Sequence, residues 1–129
     1  MSFFSGVYQI NVRVKEIKKA VEWYEEILGL RVLKDYGKTV VLEHDRGVPV
    51  CLIEKPPHIE LPDNLDGTHP VFSIFPTGAE DCRAALIERG VEVLEGGSQG
   101  HFKFRDLDGN LLEAYVPGLY KEARFKPYR

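Results

Sequence analysis

The chain has 129 residues and a mass of 14.7 kDa; 43% of its residues are hydrophobic, 29% are charged, and the formal net charge is −3. A chain of this length can bury a core without disulfide bridges, and this composition excludes a disordered tail, a fibrous repeat and a disulfide-rich scaffold. The basic residues near the C-terminus are too sparse for a nucleic-acid-binding surface, so we expect no nucleic-acid partner.

No apolar run approaches the ~18 residues that span a bilayer. The start of the chain also lacks the basic and apolar regions of a signal peptide. We therefore expect a cytoplasmic protein without a membrane partner. Cys51 and Cys82 lie in apolar surroundings without a CxxC spacing, so they are expected to be buried free thiols.

The first half of the chain is predicted to form a strand, a helix and three strands. Residues 7–14 alternate with a period of two, with Val12 and its apolar neighbours on one face. The apolar residues within 17–28 recur at helical spacing and form one stripe of a predicted helix, and Gly29 is typical of a helix C-cap. Three β-prone runs follow at residues 30–33, 39–43 and 48–54.

The second half repeats this order after a stretch that is rich in Pro and turn-forming residues, residues 55–68, which we interpret as a linker. A strand is expected over residues 70–75 and a helix over residues 78–89. Three further strands are expected at residues 91–94, 101–105 and 111–116. The last two are joined by a hairpin turn at residues 108–110.

The two halves match each other at offsets of 59 to 61 residues. For example, the Gly-Leu-Arg-Val-Leu run that begins at Gly29 matches the Gly-Val-Glu-Val-Leu run that begins at Gly90. A common order at a nearly constant offset indicates an internal repeat. We predict one α+β domain of two βαβββ modules, whose mixed sheets curve into an open cup. The modules are residues 5–54 and residues 69–117, and residues 118–129 are expected to be a solvated tail.

The repeat also pairs polar residues. Gln9 in the first strand corresponds to His69 at the start of the fifth, and Glu54 corresponds to Glu113 in the eighth. If the modules are related by a pseudo-twofold axis, these four side chains can converge. An imidazole, an amide oxygen and two carboxylates suit a divalent cation with an open coordination position, such as Zn, Ni, Co, Mn or Fe(II). No nucleotide cofactor is expected.

Two segments resemble the vicinal oxygen chelate superfamily. The run from Val14 to Leu30 is similar to its "V-x-D-x-x-x-A-x-x-F-Y-x-x-x-L-G" segment, and the run from Phe104 to Glu113 is similar to its "F-x-D-P-D-G-N-x-x-E" ending. The superfamily includes glyoxalase I, extradiol dioxygenases, methylmalonyl-CoA epimerase and fosfomycin or bleomycin resistance proteins. The resemblance covers about residues 5–117 and implies the glyoxalase-like cup.

The resemblance also implies site residues. The family's metal ligands fall on Gln9, Glu54, His69 and Glu113, a set that occurs in glyoxalase I, and Arg13 falls where that enzyme has an arginine for the substrate carboxylate. Extradiol dioxygenases use two His and one Glu, and Gln9 departs from that pattern.

Further substrate-binding candidates come from strand alternation. Asn11 shares the polar face of the first strand, His101 and Lys103 alternate with two phenylalanines, and Tyr115 shares the parity of Glu113. We expect these side chains to contact the substrate.

The sequence therefore predicts a metal-dependent, glyoxalase-type lyase or isomerase, similar to lactoylglutathione lyase. It would act on a small substrate with vicinal oxygens through a metal-stabilised enediolate, with Glu113 as the base and Glu54 as the alternative base. Two alternatives stay open, namely a ring-cleaving dioxygenase and a non-catalytic protein that binds a drug or antibiotic. We expect a homodimer, because the first and fifth strands would otherwise be exposed sheet edges.

Overall fold

The computed structural model describes residues 2–61, 66–76, 82–98 and 101–115. The chain divides into two compact units, residues 1–62 and residues 63–129. Its elements are β1 (Ile10–Val14), α1 (Ile17–Leu28), β2 (Arg31–Asp35), β3 (Thr39–Glu43), β4 (Val50–Glu54), β5 (Phe72–Ile74), α2 (Cys82–Glu88), β6 (Phe102–Arg105) and β7 (Leu111–Ala114). The order of helices and strands along the chain confirms the α+β class.

The first unit contains a mixed four-stranded sheet in the order β1-β4-β3-β2. Strand β1 runs parallel to β4, with Ile10 beside Val50 and Val14 beside Glu54, whereas β3 runs antiparallel to both β4 and β2. Strands β1 and β2 are therefore the edges of this sheet.

Helix α1 follows the predicted stripe. Ala20 and Tyr24 are buried, and Val21 and Ile27 are half-buried on the same side. Gly29 ends the helix in the left-handed conformation, with φ 71°, and its N–H donates to the Tyr24 carbonyl. A residue without Cβ adopts this conformation without strain, which explains why the helix ends there.

The core of the first unit combines α1 with one face of the sheet. Tyr24 is fully buried, and so are aliphatic residues that come from three of the four strands. These residues are Val12, Val14, Leu42 and Leu52. Their burial fixes which side of β1 faces the core and leaves the polar residues of that strand on the other side.

The second unit contains a three-stranded sheet in the order β5-β7-β6. Strand β5 runs parallel to β7, and β6 runs antiparallel to it. Phe102, Phe104, Leu111 and Leu112 are almost completely buried. Helix α2 contributes Leu86 as its buried residue.

The turn between β6 and β7 is held by a buried carboxylate. Asp106 Oδ1 accepts hydrogen bonds from the backbone N–H groups of Asp108 and Asn110, both at 2.9 Å. Asp106 Oδ2 accepts a third from Asn110 Nδ2, also at 2.9 Å. The predicted turn at residues 108–110 is thus present, and Asp106 fixes its shape.

The structure corrects several predicted strand boundaries. The strand predicted over residues 91–94 is absent as a strand: Val93 forms a single bridge to Phe104, between Gly90 and the bend at residues 95–96. The first strand begins at Ile10 rather than at residue 7, because residues 2–8 are exposed and unpaired with the sheet. The observed strands are shorter than predicted at residues 50–54, 72–74 and 111–114.

Some predictions lie outside the described residues. These are the first turn of the second helix, part of the linker at residues 62–65, and the C-terminal tail. Cys51 is buried and Cys82 half-buried, and both are free thiols. In the described part of the chain, no helix is long and apolar enough to cross a membrane.

Candidate functional site

The first unit presents a polar face on β1. Asn11 and Arg13 are exposed and alternate with the buried Val12 and Val14. Gln9 precedes the strand and shares this face, because its Nε2 donates to Asn11 Oδ1 at 2.9 Å. The predicted polar face of the first strand is therefore present.

Cys51 belongs to the same face. It is the register partner of Asn11 on the neighbouring strand and is only 4% exposed. Burial raises the pKa of its thiol, while a hydrogen bond with the Gln9 side chain opposes that shift. Gln9, Asn11 and Cys51 thus form one connected group, which we call the amide cluster.

Glu54 lies elsewhere in the first unit. It is the register partner of Val14 in the parallel pair, and its neighbour Leu52 is the partner of Val12. Partners in register point to the same face of a sheet, so Glu54 follows the face of the buried valines rather than that of Gln9. Its half-buried side chain is at the end of β4. The structure brings Gln9, Asn11 and Cys51 together and places Glu54 apart from them.

Glu113 is the centre of the polar face of the second unit. Its side chain is 14% exposed and accepts a hydrogen bond from Ser73 Oγ on Oε1, at 3.1 Å. Its Oε2 lies 3.1 Å from His101 Nε2. In the sheet, Glu113 has Ser73 beside it on β5 and Lys103 beside it on β6.

Three predicted substrate-binding residues surround this carboxylate. The ring of His101, which is 49% exposed, lies 4.3 Å from the ring of Tyr115, measured between centroids. The ammonium of Lys103 donates to the carbonyl of Gly67 at 3.1 Å. The buried phenylalanines between them confirm the predicted alternation. His101, Lys103, Glu113 and Tyr115 therefore share one face of the sheet.

His69 is exposed and precedes β5. A turn leads into it, because the Thr68 N–H donates to Asp66 Oδ1 at 3.1 Å. This backbone hydrogen bond is the main reason why the pKa of Asp66 lies below its ordinary value. Because the side chain of His69 is exposed, its imidazole is accessible to a ligand.

A cavity of roughly 200 Å³ adjoins this face. It is lined by Gly67, residues 94–97 and residues 101–103. Since His101 and Lys103 belong both to the cavity and to the Glu113 face, a small molecule bound there would contact a ring nitrogen and an ammonium group.

The donor set fits a divalent cation of borderline hardness, since it offers imidazole, carboxylate and amide oxygen without thiolate. A carboxylate has about four lone-pair positions, so Glu113 can accept its two hydrogen bonds and still bind an ion. Within the described residues, no group of three or more His, Cys, Asp or Glu side chains lies together in a metal-binding arrangement. The convergence of the four predicted ligands stays a prediction.

Sequence reasoning missed two residues. Ser73 lies four residues after His69. Because side chains an even number of residues apart share a face of a strand, alternation weakly indicated that Ser73 lies on the face of His69. Cys51 gave no such signal, because only the register of β4 places it beside Asn11.

Comparisons with known proteins identify the family and the fold. The sequence model of the Glyoxalase/Bleomycin resistance protein/Dioxygenase superfamily matches residues 6–114. The chain is 32% identical to the metallothiol transferase FosB of Staphylococcus epidermidis, over 92% of this chain and 93% of the relative.

Two solved structures share the fold. The fosfomycin resistance protein FosX from Listeria monocytogenes superposes with a TM-score of 0.66 at 22% identity, over 95% of this chain and 98% of that one. The antibiotic-binding protein TnmS3 from Streptomyces sp. CB03234 superposes with a TM-score of 0.69 at 23% identity, over 92% of this chain and 100% of that one.

Proposed function

This chain belongs to the Glyoxalase/Bleomycin resistance protein/Dioxygenase superfamily, and we propose that it is a metal-dependent enzyme that transfers a thiol to a small, oxygen-rich electrophile. The observation that carries the proposal is the similarity to a metallothiol transferase at 32% identity along nearly the whole of both chains.

In the proposed reaction, the thiol sulfur attacks a carbon atom that is bonded to oxygen. A sulfur–carbon bond forms, a carbon–oxygen bond breaks, and the thiol proton passes to the oxygen, so no oxidant or reductant is needed. We propose that Gln9, His69 and Glu113 bind the same cation, which would supply Lewis-acid polarisation of the substrate oxygens. Gln9 would bind through its amide oxygen, His69 through its exposed imidazole and Glu113 through the carboxylate that Ser73 orients.

The remaining polar residues suit substrate binding. Arg13 is exposed on the face of Gln9, and Lys103 lines the cavity in the second unit. Their positive charges would attract an anionic substrate. The rings of His101 and Tyr115 lie together, and His101 Nε2 lies 3.1 Å from Glu113 Oε2; such a pair of rings suits the body of a small organic molecule.

A glyoxalase-type isomerase is the second candidate. The Gln-Glu-His-Glu ligand set implied by the family resemblance favours it, and both reactions use a thiol and a substrate with neighbouring oxygens. In the isomerase, Glu113 would move a proton between adjacent carbons, with Glu54 as the alternative base. The two candidates differ in whether the enzyme adds the thiol or rearranges an existing thiol adduct.

The deciding experiment combines the metal-loaded protein with fosfomycin or methylglyoxal and a panel of low-molecular-weight thiols. With fosfomycin, loss of free thiol together with a product mass equal to substrate plus thiol supports the transferase. Formation of a thioester from methylglyoxal and a thiol supports the isomerase. Cleavage of a catechol, or tight antibiotic binding without any product, would contradict both and favour the dioxygenase or the binding protein.

The ligand set is tested by metal content. We expect about one divalent ion per site in protein purified without chelator, and donor atoms within roughly 2.0–2.4 Å of the ion. Gln9→Ala, His69→Ala and Glu113→Ala should each lower the metal affinity. Glu54→Ala separates the two ligand sets, because an unchanged affinity indicates a three-ligand site and a loss restores the four-ligand set.

We also propose a homodimer whose sites combine ligands from both chains. Strands β1 and β5 are edges of their sheets and offer unpaired backbone groups. Mixing a Gln9→Ala chain with a His69→Ala chain tests this, because shared sites would leave one intact site in each mixed dimer. A monomer at micromolar concentration, measured by sedimentation, would contradict the shared site.

A further inference from the structure

The amide cluster includes a hydrogen bond from Gln9 to Asn11 that metal binding by itself does not require. Gln9 has two donor hydrogens on Nε2 and one acceptor oxygen, Oε1. Only the oxygen can bind a cation, so the orientation of the amide decides whether Gln9 is a ligand. A glutamine in two orientations would present its NH₂ group to the ion for part of the time.

The Gln9 amide nitrogen has a partner in the cluster, because Nε2 donates to Asn11 Oδ1 at 2.9 Å. An amide that turns its nitrogen towards Asn11 turns its oxygen the other way. Oε1 is therefore the atom that Gln9 directs away from Asn11.

We infer that Asn11 is a positioning residue, which holds the Gln9 amide with its oxygen directed to the cation. This inference rests on the proposed function, because it assumes that Gln9 is a ligand. Asn11 is not a substrate-binding residue in this scheme, and its own contact with Gln9 explains its place on β1. Groups that hydrogen-bond to metal ligands commonly fix their orientation.

The sheet imposes this arrangement. Gln9 and Asn11 are two residues apart, so they point to the same side of the strand. Cys51 stands beside Asn11 in the parallel register, and its burial keeps the sulfur in one place. The cluster therefore joins one edge strand to the strand beside it, and the Gln9 amide lies against Asn11 on the edge strand.

The orientation depends on Asn11 acting as an acceptor. If the Asn11 amide were turned by 180°, its NH₂ group would face Gln9, and the Gln9 oxygen would turn inward to accept from it. An aspartate at position 11 can only accept when it is ionised, so it enforces the orientation that we infer. Alanine at position 11 removes the constraint altogether.

The experiment measures Co²⁺ binding by isothermal titration for the parent and four variants. These are Gln9→Ala, Asn11→Ala, Asn11→Asp and Cys51→Ala. Arg13→Gln is the charge control, because it makes the same strand face more negative by one unit, as Asn11→Asp does. Circular dichroism verifies that each variant is folded, which we expect for Asn11 because its side chain is exposed.

We expect Asn11→Ala to weaken Co²⁺ binding about tenfold, in line with the loss of a group that orients a ligand. Cys51→Ala should cause a smaller loss, because the hydrogen bond from Gln9 to Asn11 remains. Asn11→Asp should bind Co²⁺ at least as tightly as the parent. Any increase in its affinity should not exceed the increase that Arg13→Gln causes. Equal losses for Asn11→Ala and Asn11→Asp would overturn the inference.

A second measurement separates this inference from the ligand assignment. In the metal-free protein, the Nε2 protons of Gln9 in a ¹H–¹⁵N spectrum should shift in Asn11→Ala and stay close to the parent in Asn11→Asp. If Gln9→Ala leaves the Co²⁺ affinity unchanged, the ligand assignment is wrong and the positioning role for metal binding falls with it. If Gln9→Ala weakens binding but Asn11→Ala does not, the ligand assignment stands and the inference is wrong.

Discussion

Replacing Asp106 by alanine should destabilise the second unit strongly. Asp106 and Asn110 are each only 6% exposed, and the carboxylate accepts three hydrogen bonds from the turn that joins β6 to β7. The substitution leaves the buried donors of Asn110 without this acceptor. Because β7 carries Glu113, the same turn also helps to fix the position of that residue in the candidate site.

The magnitude follows from these three bonds. A hydrogen bond to a charged group contributes about 1.5–3 kcal/mol, and a buried donor left unsatisfied costs about 1–3 kcal/mol. The N–H of Asp108 is partly accessible to water, which can replace its partner. We therefore expect Asp106→Ala to lower the free energy of unfolding by about 3 kcal/mol, which corresponds to about 10 °C in Tm for a domain of this length.

The assay is reversible urea and thermal unfolding, followed by circular dichroism. Asp106→Asn should cost about 1–2 kcal/mol, because its new NH₂ group faces the NH₂ group of Asn110 and one hydrogen bond is lost. Leu107→Ala, in the same turn but exposed, is the matched control and should change stability by less than about 0.5 kcal/mol. A cycle with Asn110→Ala should show a coupling of about 1–2 kcal/mol to Asp106→Ala. A change below about 0.5 kcal/mol in Asp106→Ala, or no coupling, would refute the reasoning.

Three further predictions concern other parts of the fold. Gly97→Ala should destabilise the protein by more than about 2 kcal/mol in urea unfolding. A Cβ at this position would clash with the His101 carbonyl oxygen, and the backbone has φ 76°. Unchanged stability of the variant would refute this prediction. Gly29→Ala should cost about 1 kcal/mol in the same assay, since the left-handed cap of α1 strains any residue with a Cβ, and a stabilising effect would contradict this account. Asp45 Oδ1 accepts a hydrogen bond from Arg31 Nη1 at 2.8 Å. This hydrogen bond holds the pKa of the Asp45 carboxyl below its ordinary value of 3.8. The stability from this pair is therefore present above the unfolded-state pKa and is lost as the pH falls through the lower folded-state pKa. An NMR titration should show the Asp45 pKa rising towards the ordinary value in Arg31→Gln, and an unchanged pKa would exclude the pair as the cause.

The superfamily was identified by the resemblance of two segments to its motifs. The element order, apart from the strand predicted over residues 91–94, and the polar candidates were readable from local patterns. The stripe of α1 and its end at Gly29 depend on helical period and on one glycine conformation, and both are properties of neighbouring residues. The polar face that includes Asn11 and Arg13 follows from strand alternation in the same way. The repeat also identified Glu113, because its position in the second half corresponds to that of Glu54 in the first.

Only the tertiary structure decided which residues stand beside one another. The register of β1 and β4 places Cys51 with Asn11 and sets Glu54 beside Val14, although the sequence grouped Glu54 with the other predicted ligands. A register is set by contacts between segments far apart in the chain, and a shift by one residue moves every side chain to the opposite face. The same long-range pairing reduced residues 91–94 to a single bridge and placed Ser73 against Glu113. Local sequence therefore determined the elements and their polar faces, whereas the non-local pairing of strands determined which polar groups can act together.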